Sequence, residues 1–222
     1  MATKLTNEVE GNSQIVKNLD GWKFPKISVD QLYKRNIFKI FPTYVVRDFE
    51  KTISLKALNQ DVSTKLLSRD VLKGFIKRQH RFMHLGLVQI AVKPLIRDGL
   101  GGPIVVCLRD ARISNFENSL LALVESNLSQ GPLYFNCFPS FSVSLNDASS
   151  LEALTLCVKT GGVPLALTYR VVCKAMENLS SDALKGPILG DTTYFQLDTG
   201  IQTIIKWDEV QIPESWTCTS DP

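Results

Sequence analysis

Cations crowd one stretch of this chain. Lys65, Arg69, Lys73, Lys77 and Arg81 recur at every fourth position, Arg78 and His80 add to them, and only Asp70 opposes. Lysines and arginines spaced in this way can neutralise phosphates without reading bases, which gives salt-dependent, sequence-blind binding. Phe75 and Phe82 could add base stacking, and either could equally be core. The plainer alternative is a solvated helix face that feeds a basic loop. A second group is Asp110, set between Arg109 and Arg112 where the apolar run at 104–108 stops. A carboxylate repels phosphate, so its expected part is to fix the end of a strand by pairing with Arg109 or Arg112 or by accepting backbone N–H bonds. The alternative is an exposed turn residue.

Enzymatic chemistry finds little support. His80 and His84 would share a face only on a helix, and a strand beginning at Phe82 argues against that; no third ligand is evident. Neither a GxxxxGK[ST] loop nor GxGxxG nor GxSxG occurs. Gly99, Gly101 and Gly102 belong to a strand connection, without the helix N-terminus that makes a phosphate cradle. Cys107, Cys137, Cys157, Cys173 and Cys218 lack CxxC spacing, and most lie in or beside apolar runs, the pattern of free buried thiols in a reducing compartment. No enzyme, metal or cofactor is expected.

The elements that must carry these residues follow from patterning. With 222 residues, 44% of them apolar and 21% charged, the chain is long enough for one well-buried core, and its net charge of +3 says less than where the charge sits. Residues 1–25 read as a flexible N-terminal arm. Residues 26–80 read as a helical and basic flanking region, with a short helix from Ser28 or Asp30 toward Pro42 and a longer one over 59–73. In the longer helix Leu58, Val62, Leu66, Leu67 and Val71 make a stripe that Gly74 ends, and Lys65, Arg69 and Lys73 line one side. Residues 81–210 read as a β-sandwich core. Within 81–108 an alternating strand and a continuous apolar run at 104–108 form an antiparallel pair across a Gly-rich turn. Strands follow at 119–127, 132–138, 141–145, 154–159 and 165–174, with one or two more before a frayed tail at 211–222. No window approaches the ~18 consecutive apolar residues of a membrane-spanning helix, and the polar start lacks the apolar region of a signal peptide. Any membrane contact is therefore expected to be peripheral. Leu32, Ile37, Phe38, Ile40 and Phe41 could face lipid while Lys34, Arg35 and Lys39 meet headgroups. The competing view is that this segment caps an open end of the β domain.

Several features in order carry a family likeness: an apolar strand holding Gly86, a second ending Leu108-Arg109-Asp110 with Arg112 beyond, then GPLYF leading to FPSFSVSLND, and a later VKTGGVPL. In this string, over residues 60–175, the chain resembles the plant-virus cell-to-cell movement proteins of the thirty-kilodalton superfamily. In that superfamily the second strand ends in a Leu-x-Asp signature, matched by Leu108 and Asp110. The resemblance implies an all-β, jelly-roll-like antiparallel sandwich with flanking helices. It also implies binding of single-stranded viral RNA (or DNA), self-association, and a place at the endomembrane periphery and plasmodesmata. Contact with viral coat protein belongs to the same set. Two other classes stay open. One is a jelly-roll capsid-like structural protein, for which the two lysines Lys4 and Lys17 against Glu8, Glu10 and Asp20 make a poor basic arm. The other is a β-sandwich interaction module without nucleic-acid binding.

Overall fold

A computed structural model of the chain describes residues 25–33, 44–56, 61–97 and 100–179, together with two short strands at 193–196 and 202–203. One turn of helix, α1 (Val29–Leu32), comes first, and the strands β1 (Tyr44–Leu55) and β2 (Asp61–Lys65) lead to helix α2 (Arg69–Ile76). Then come β3 (Phe82–Pro94), β4 (Pro103–Arg109), the single turn α3 (Phe116–Ser119) and β5 (Leu120–Asn127). The series continues with β6 (Leu133–Cys137), β7 (Phe141–Ser144), β8 (Thr155–Thr160), β9 (Leu165–Met176), β10 (Thr193–Gln196) and β11 (Gln202–Thr203).

These strands make two antiparallel sheets. One runs β1-β9-β3-β6-β10-β11, with β7 also paired to β3, and the other runs β2-β8-β4-β5. The first four strands pair in turn with the later ones: β4 with β5, β3 with β6, β2 with β8 and β1 with β9. This is one long hairpin folded over on itself so that β1 to β4 alternate between the sheets and the returning strands lie beside them, which is the topology of a jelly roll. Alternate residues face inward. Met83, Leu85, Val88, Ile90 and Val92 of β3 share one core with Ile104, Val106 and Leu108 of β4 and with Leu165, Leu167 and Val171 of β9.

Three expectations need correction. β3 and β4 are not a hairpin: they lie in different sheets, facing each other across the core. Alternation identifies a strand but not its partner, and the connection at 95–102 crosses from sheet to sheet instead of turning tightly. The helix expected over 59–73 is a strand followed by a shorter helix. Asp61–Lys65 pairs with β8, and the helix starts only at Arg69, after the Ser68 cap. The region 26–80 is accordingly not a helical flank, because it supplies β1 and β2, an outer strand of each sheet. The strands expected from 119 to 174 lie where the alternation put them, as β5 to β9.

The outer face of the larger sheet is covered by residues 25–33. Ser28 caps α1 in a reciprocal capping box with Gln31. Leu32 and Tyr33 pack on Leu87 and Val172. Leu32 is therefore core and not a lipid contact; Phe38 and Phe41 lie outside the described residues. Arg170 donates from Nη1 to the Ile27 carbonyl at 2.8 Å and to Gln89 Oε1 at 2.7 Å, and from Nε to Asp48 at 2.9 Å. Gln89 in turn donates to the Pro25 carbonyl (3.1 Å) and to Asn136 (2.8 Å). Buried polar groups thus bind the backbone of the covering segment, so their desolvation is compensated.

Candidate nucleic-acid interface

Helix α2 sits at one end of the sandwich because its sequence splits into two faces. The Ser68 hydroxyl accepts from the Val71 N–H at 3.3 Å and begins the helix. Leu72 and Phe75 are buried in the core, while Arg69, Lys73 and Ile76 stay exposed. The helix stops through a turn at Gln79, which takes a positive φ of 65°. His80 then folds back: its N–H donates to the Phe75 carbonyl at 3.3 Å and its ring packs edge-on against Phe75 at 6.2 Å. Arg81 is tied to both neighbours through its backbone, its N–H donating to Met176 O and its carbonyl accepting from Leu145 N, each at 2.8 Å.

The sequence-derived cations divide into two sets. Arg69 at the start of α2, Lys73 in its last turn, and Lys77, Arg78 and Arg81 at its exit are exposed, and among the described residues none of them makes an ion pair. Lys65 belongs elsewhere. It lies on β2, not on the helix, and its ammonium is paired with Glu152 at 2.8 Å. His80 is largely buried and reaches the surface only as part of the wall of the cleft beside α2. His84, on β3, is buried as well, and among the described residues no group of three or more His, Cys, Asp or Glu could hold a metal ion.

Asp110 is not an exposed turn residue. It is 5% exposed and grips Arg112 with both oxygens, Nε to Oδ1 at 2.8 Å and Nη2 to Oδ2 at 2.6 Å, while the Arg112 N–H adds a third bond at 3.2 Å. This bidentate pair holds the guanidinium pKa above its ordinary value. Arg112 also lies over the Phe141 ring at 5.4 Å. Arg109 points elsewhere, over Phe116 at 5.1 Å, and donates to the Ile113 carbonyl. The backbone beside Asp110 is fastened too, with Asp110 N donating to Ser119 O (2.8 Å) and Ala111 N to Glu152 O (3.0 Å). The carboxylate thus ties the end of β4 to Arg112, while the backbone of Ala111 joins it to the turn at 148–152. Asp147, which begins that turn by accepting from Ser149 N, has its pKa lowered by those Ser149 bonds and, beyond them, by Arg112.

Gly86 has a different reason to be glycine. A Cβ there would lie 2.1 Å from the Tyr33 hydroxyl, at the point where β3 bulges between Leu85 and Leu87. That hydroxyl bonds His84 Nδ1 at 2.8 Å, and the Lys174 ammonium sits 5.1 Å over the Tyr33 ring. Burial, with Lys174 adding to it, depresses the His84 pKa to about 4, and burial raises that of Tyr33. Both groups are neutral near pH 7, and a single proton bridges them, from the phenol or from Nδ1 according to the imidazole tautomer. Sequence reasoning did not single out Tyr33, Gln89, Arg170 or Lys174. The available signal was polar residues interrupting apolar strands, LVQIAV and LTYRVVCKAM.

Comparison with known proteins adds an independent line. A family model described as viral movement protein (MP) matches residues 11–186. The movement protein of Cauliflower mosaic virus (strain D/H) is 32% identical over 184 residues, covering 66% of this chain and 56% of that protein. The movement protein of Soybean chlorotic mottle virus is 25% identical over 134 residues, covering 57% and 44%. The chain thus spans about half the length of the curated relatives it matches. Among solved structures, a Turnip yellow mosaic virus chain superimposes with a TM-score of 0.41 at 12% identity, over 77% of this chain and 89% of that one.

Proposed function

This chain belongs to the viral movement-protein family, and from that premise we propose that it binds single-stranded nucleic acid without reading its sequence, as part of carrying a viral genome from one plant cell to the next. The observation that supports the binding is the group of five exposed cations, Arg69, Lys73, Lys77, Arg78 and Arg81, left without an acidic partner among the described residues. Charges that serve the fold are normally paired or buried; these are neither. Lys and Arg in such a setting release counterions when they meet phosphates. Asp110 and Arg112 act at one remove by holding the turn that neighbours this surface.

The wider reading follows the family: self-association, attachment to plasmodesmata and the endomembrane periphery, and contact with viral coat protein. Among the described residues no helix is long and apolar enough to cross a membrane. Phe38 and Phe41 remain our candidates for peripheral lipid contact. A jelly roll also builds shells, but fold alone does not carry function, and the exposed cations argue for binding.

The test is a titration of unrelated single strands with Lys73, Lys77, Arg78 and Arg81 changed to Gln. Affinity should fall by a similar factor for every sequence, and the slope of log affinity on log salt should flatten by about 0.7 for each phosphate that is no longer neutralised. An unchanged slope in the folded variant moves the interface away from α2.

A further inference from the structure

Beside α2 the surface is hollowed. A cleft of ≈ 540 Å³ opens between the helix exit and the residues that follow β7 and β9, lined by Ile76, Gln79, Arg81, Asn146, Glu177 and Asn178 among others. A second hollow of ≈ 240 Å³ continues it along the helix, between Arg69, Leu72 and Lys73 on one side and Asp147 and Leu151 on the other. Ile76 and Asn146 line both, so the two form one trough with Ile76, 40% exposed, at its middle.

The lining sorts by chemistry. Apolar surface comes from Ile76, Leu72 and Leu151, and three amides, Gln79, Asn146 and Asn178, offer donors and acceptors in both senses. The acids Glu177 and Asp147 also line it, and they would repel a phosphate placed inside. The cations Arg69, Lys73 and Arg81 line it as well, and Lys77 and Arg78 extend the positive surface beyond. Phosphates therefore belong against these cations, away from Glu177 and Asp147. Flat, partly apolar rings with hydrogen-bonding edges belong inside, where a carboxylate can accept from an exocyclic amino group. The larger hollow alone falls within the roughly 300–1,000 Å³ typical of small-molecule sites. An acidic peptide or a lipid headgroup would use the cations and leave the amides and the apolar floor unmatched.

We propose that this trough seats unpaired bases of the strand whose phosphates the α2 cations hold. The proposal rests on the single-strand reading above and adds to it a reason for preferring single strands: bases stacked in a duplex cannot enter. The experiment uses the full chain and two labelled probes of equal length and charge, an oligo(dC) of about 20 nucleotides and its abasic counterpart. Wild type should bind oligo(dC) roughly fivefold more tightly, the gain expected from burying a few tens of Å² of apolar surface. Ile76→Ser with Asn146→Ala should erase that preference while leaving the abasic affinity unchanged; both residues are exposed, so the melting temperature should hold. Lys73→Gln should weaken both probes alike. Equal wild-type affinity for the two probes overturns base seating and leaves phosphate binding standing. A preference undiminished in the double variant overturns the trough as its place. Failure of both probes to bind sinks the single-strand reading, and this proposal with it.

Discussion

Two parts of this molecule are rich in Lys and Arg and use them in opposite ways. On the outer face of the larger sheet, Arg170 and Lys174 are almost wholly buried, and Arg170 holds Asp48, Gln89 and the Ile27 carbonyl. Around α2, Arg69, Lys73, Lys77, Arg78 and Arg81 are exposed with no ion pair among the described residues. Arg170 would leave the buried Gln89, the part-buried Ile27 carbonyl and Asp48 each short of a donor if removed; Lys73 would leave none. The same residue types are structural in one place and available to a ligand in the other, and burial with its partners decides which. Net charge, a sum over both, is blind to the difference.

The comparison predicts unequal costs. Arg170→Ala should cost most, about 3 kcal/mol, because it takes a donor from the buried Gln89 and from the part-buried Ile27 carbonyl; the half-exposed Asp48 keeps the figure at the lower end for a broken buried pair. Thermal unfolding of the purified variant should show a drop of roughly 6–12 °C. A wild-type melting curve would mean that the network contributes nothing and would erase the contrast.

Gly86→Ala comes next, at roughly 1–3 kcal/mol, since the added methyl must displace the Tyr33 hydroxyl from His84. Tyr33→Ala should remove most of that penalty in a double-mutant cycle. Additive losses would show that Gly86 matters for some other reason.

A smaller effect is a pH slope. His84 titrates near pH 4 in the folded protein and near 6.5 when unfolded, so between those values the unfolded chain binds more protons. Its contribution to stability is complete above about pH 6.5 and is lost as pH falls toward 4. Melting temperatures taken across that window should decline more steeply for wild type than for His84→Gln; parallel curves would place the titration elsewhere.

The smallest effect on stability belongs to the four-Gln variant at α2, which should unfold within about 0.5 kcal/mol of wild type even as its nucleic-acid affinity falls. Marked destabilisation there would make those cations structural and collapse the distinction.

How far these features could be read from residues alone varied with the kind of information needed. β5 to β9 were legible because half-buried strands carry a period of two and Gly or Pro punctuation. β2 was not: Leu58, Val62, Leu66 and Leu67 fall at helical spacing by coincidence, while Asp61–Lys65 alternates in exposure against β8. The pairing of β3 escaped because its partners, β6, β7 and β9, lie far along the chain and no local signal names them. At the candidate site the cluster of charge was visible as spacing, but Lys65 belonged to Glu152, a residue 87 positions away. Asp110 stood out for its setting, and the choice of Arg112 over Arg109 needed three dimensions. Ile76 and Asn146 carried no signal, because a trough is a property of surfaces brought together.

The nested pairing has a consequence for how such a chain is made. Leu55 pairs with Leu165 and Tyr44 with Met176, so β1 meets its only strand partner among the described residues from the far end of the fold. At translation rates of roughly 5–20 residues per second, β1 is synthesised several seconds before β9 exists. Over that interval a 12-residue strand has no partner to pair with. Closing the loop between the two also sets a high contact order and hence slow folding. Its charged residues, Arg47, Asp48, Glu50 and Lys51, lie in the stretch that waits longest, where they discourage β1 from pairing with the same strand of another nascent chain.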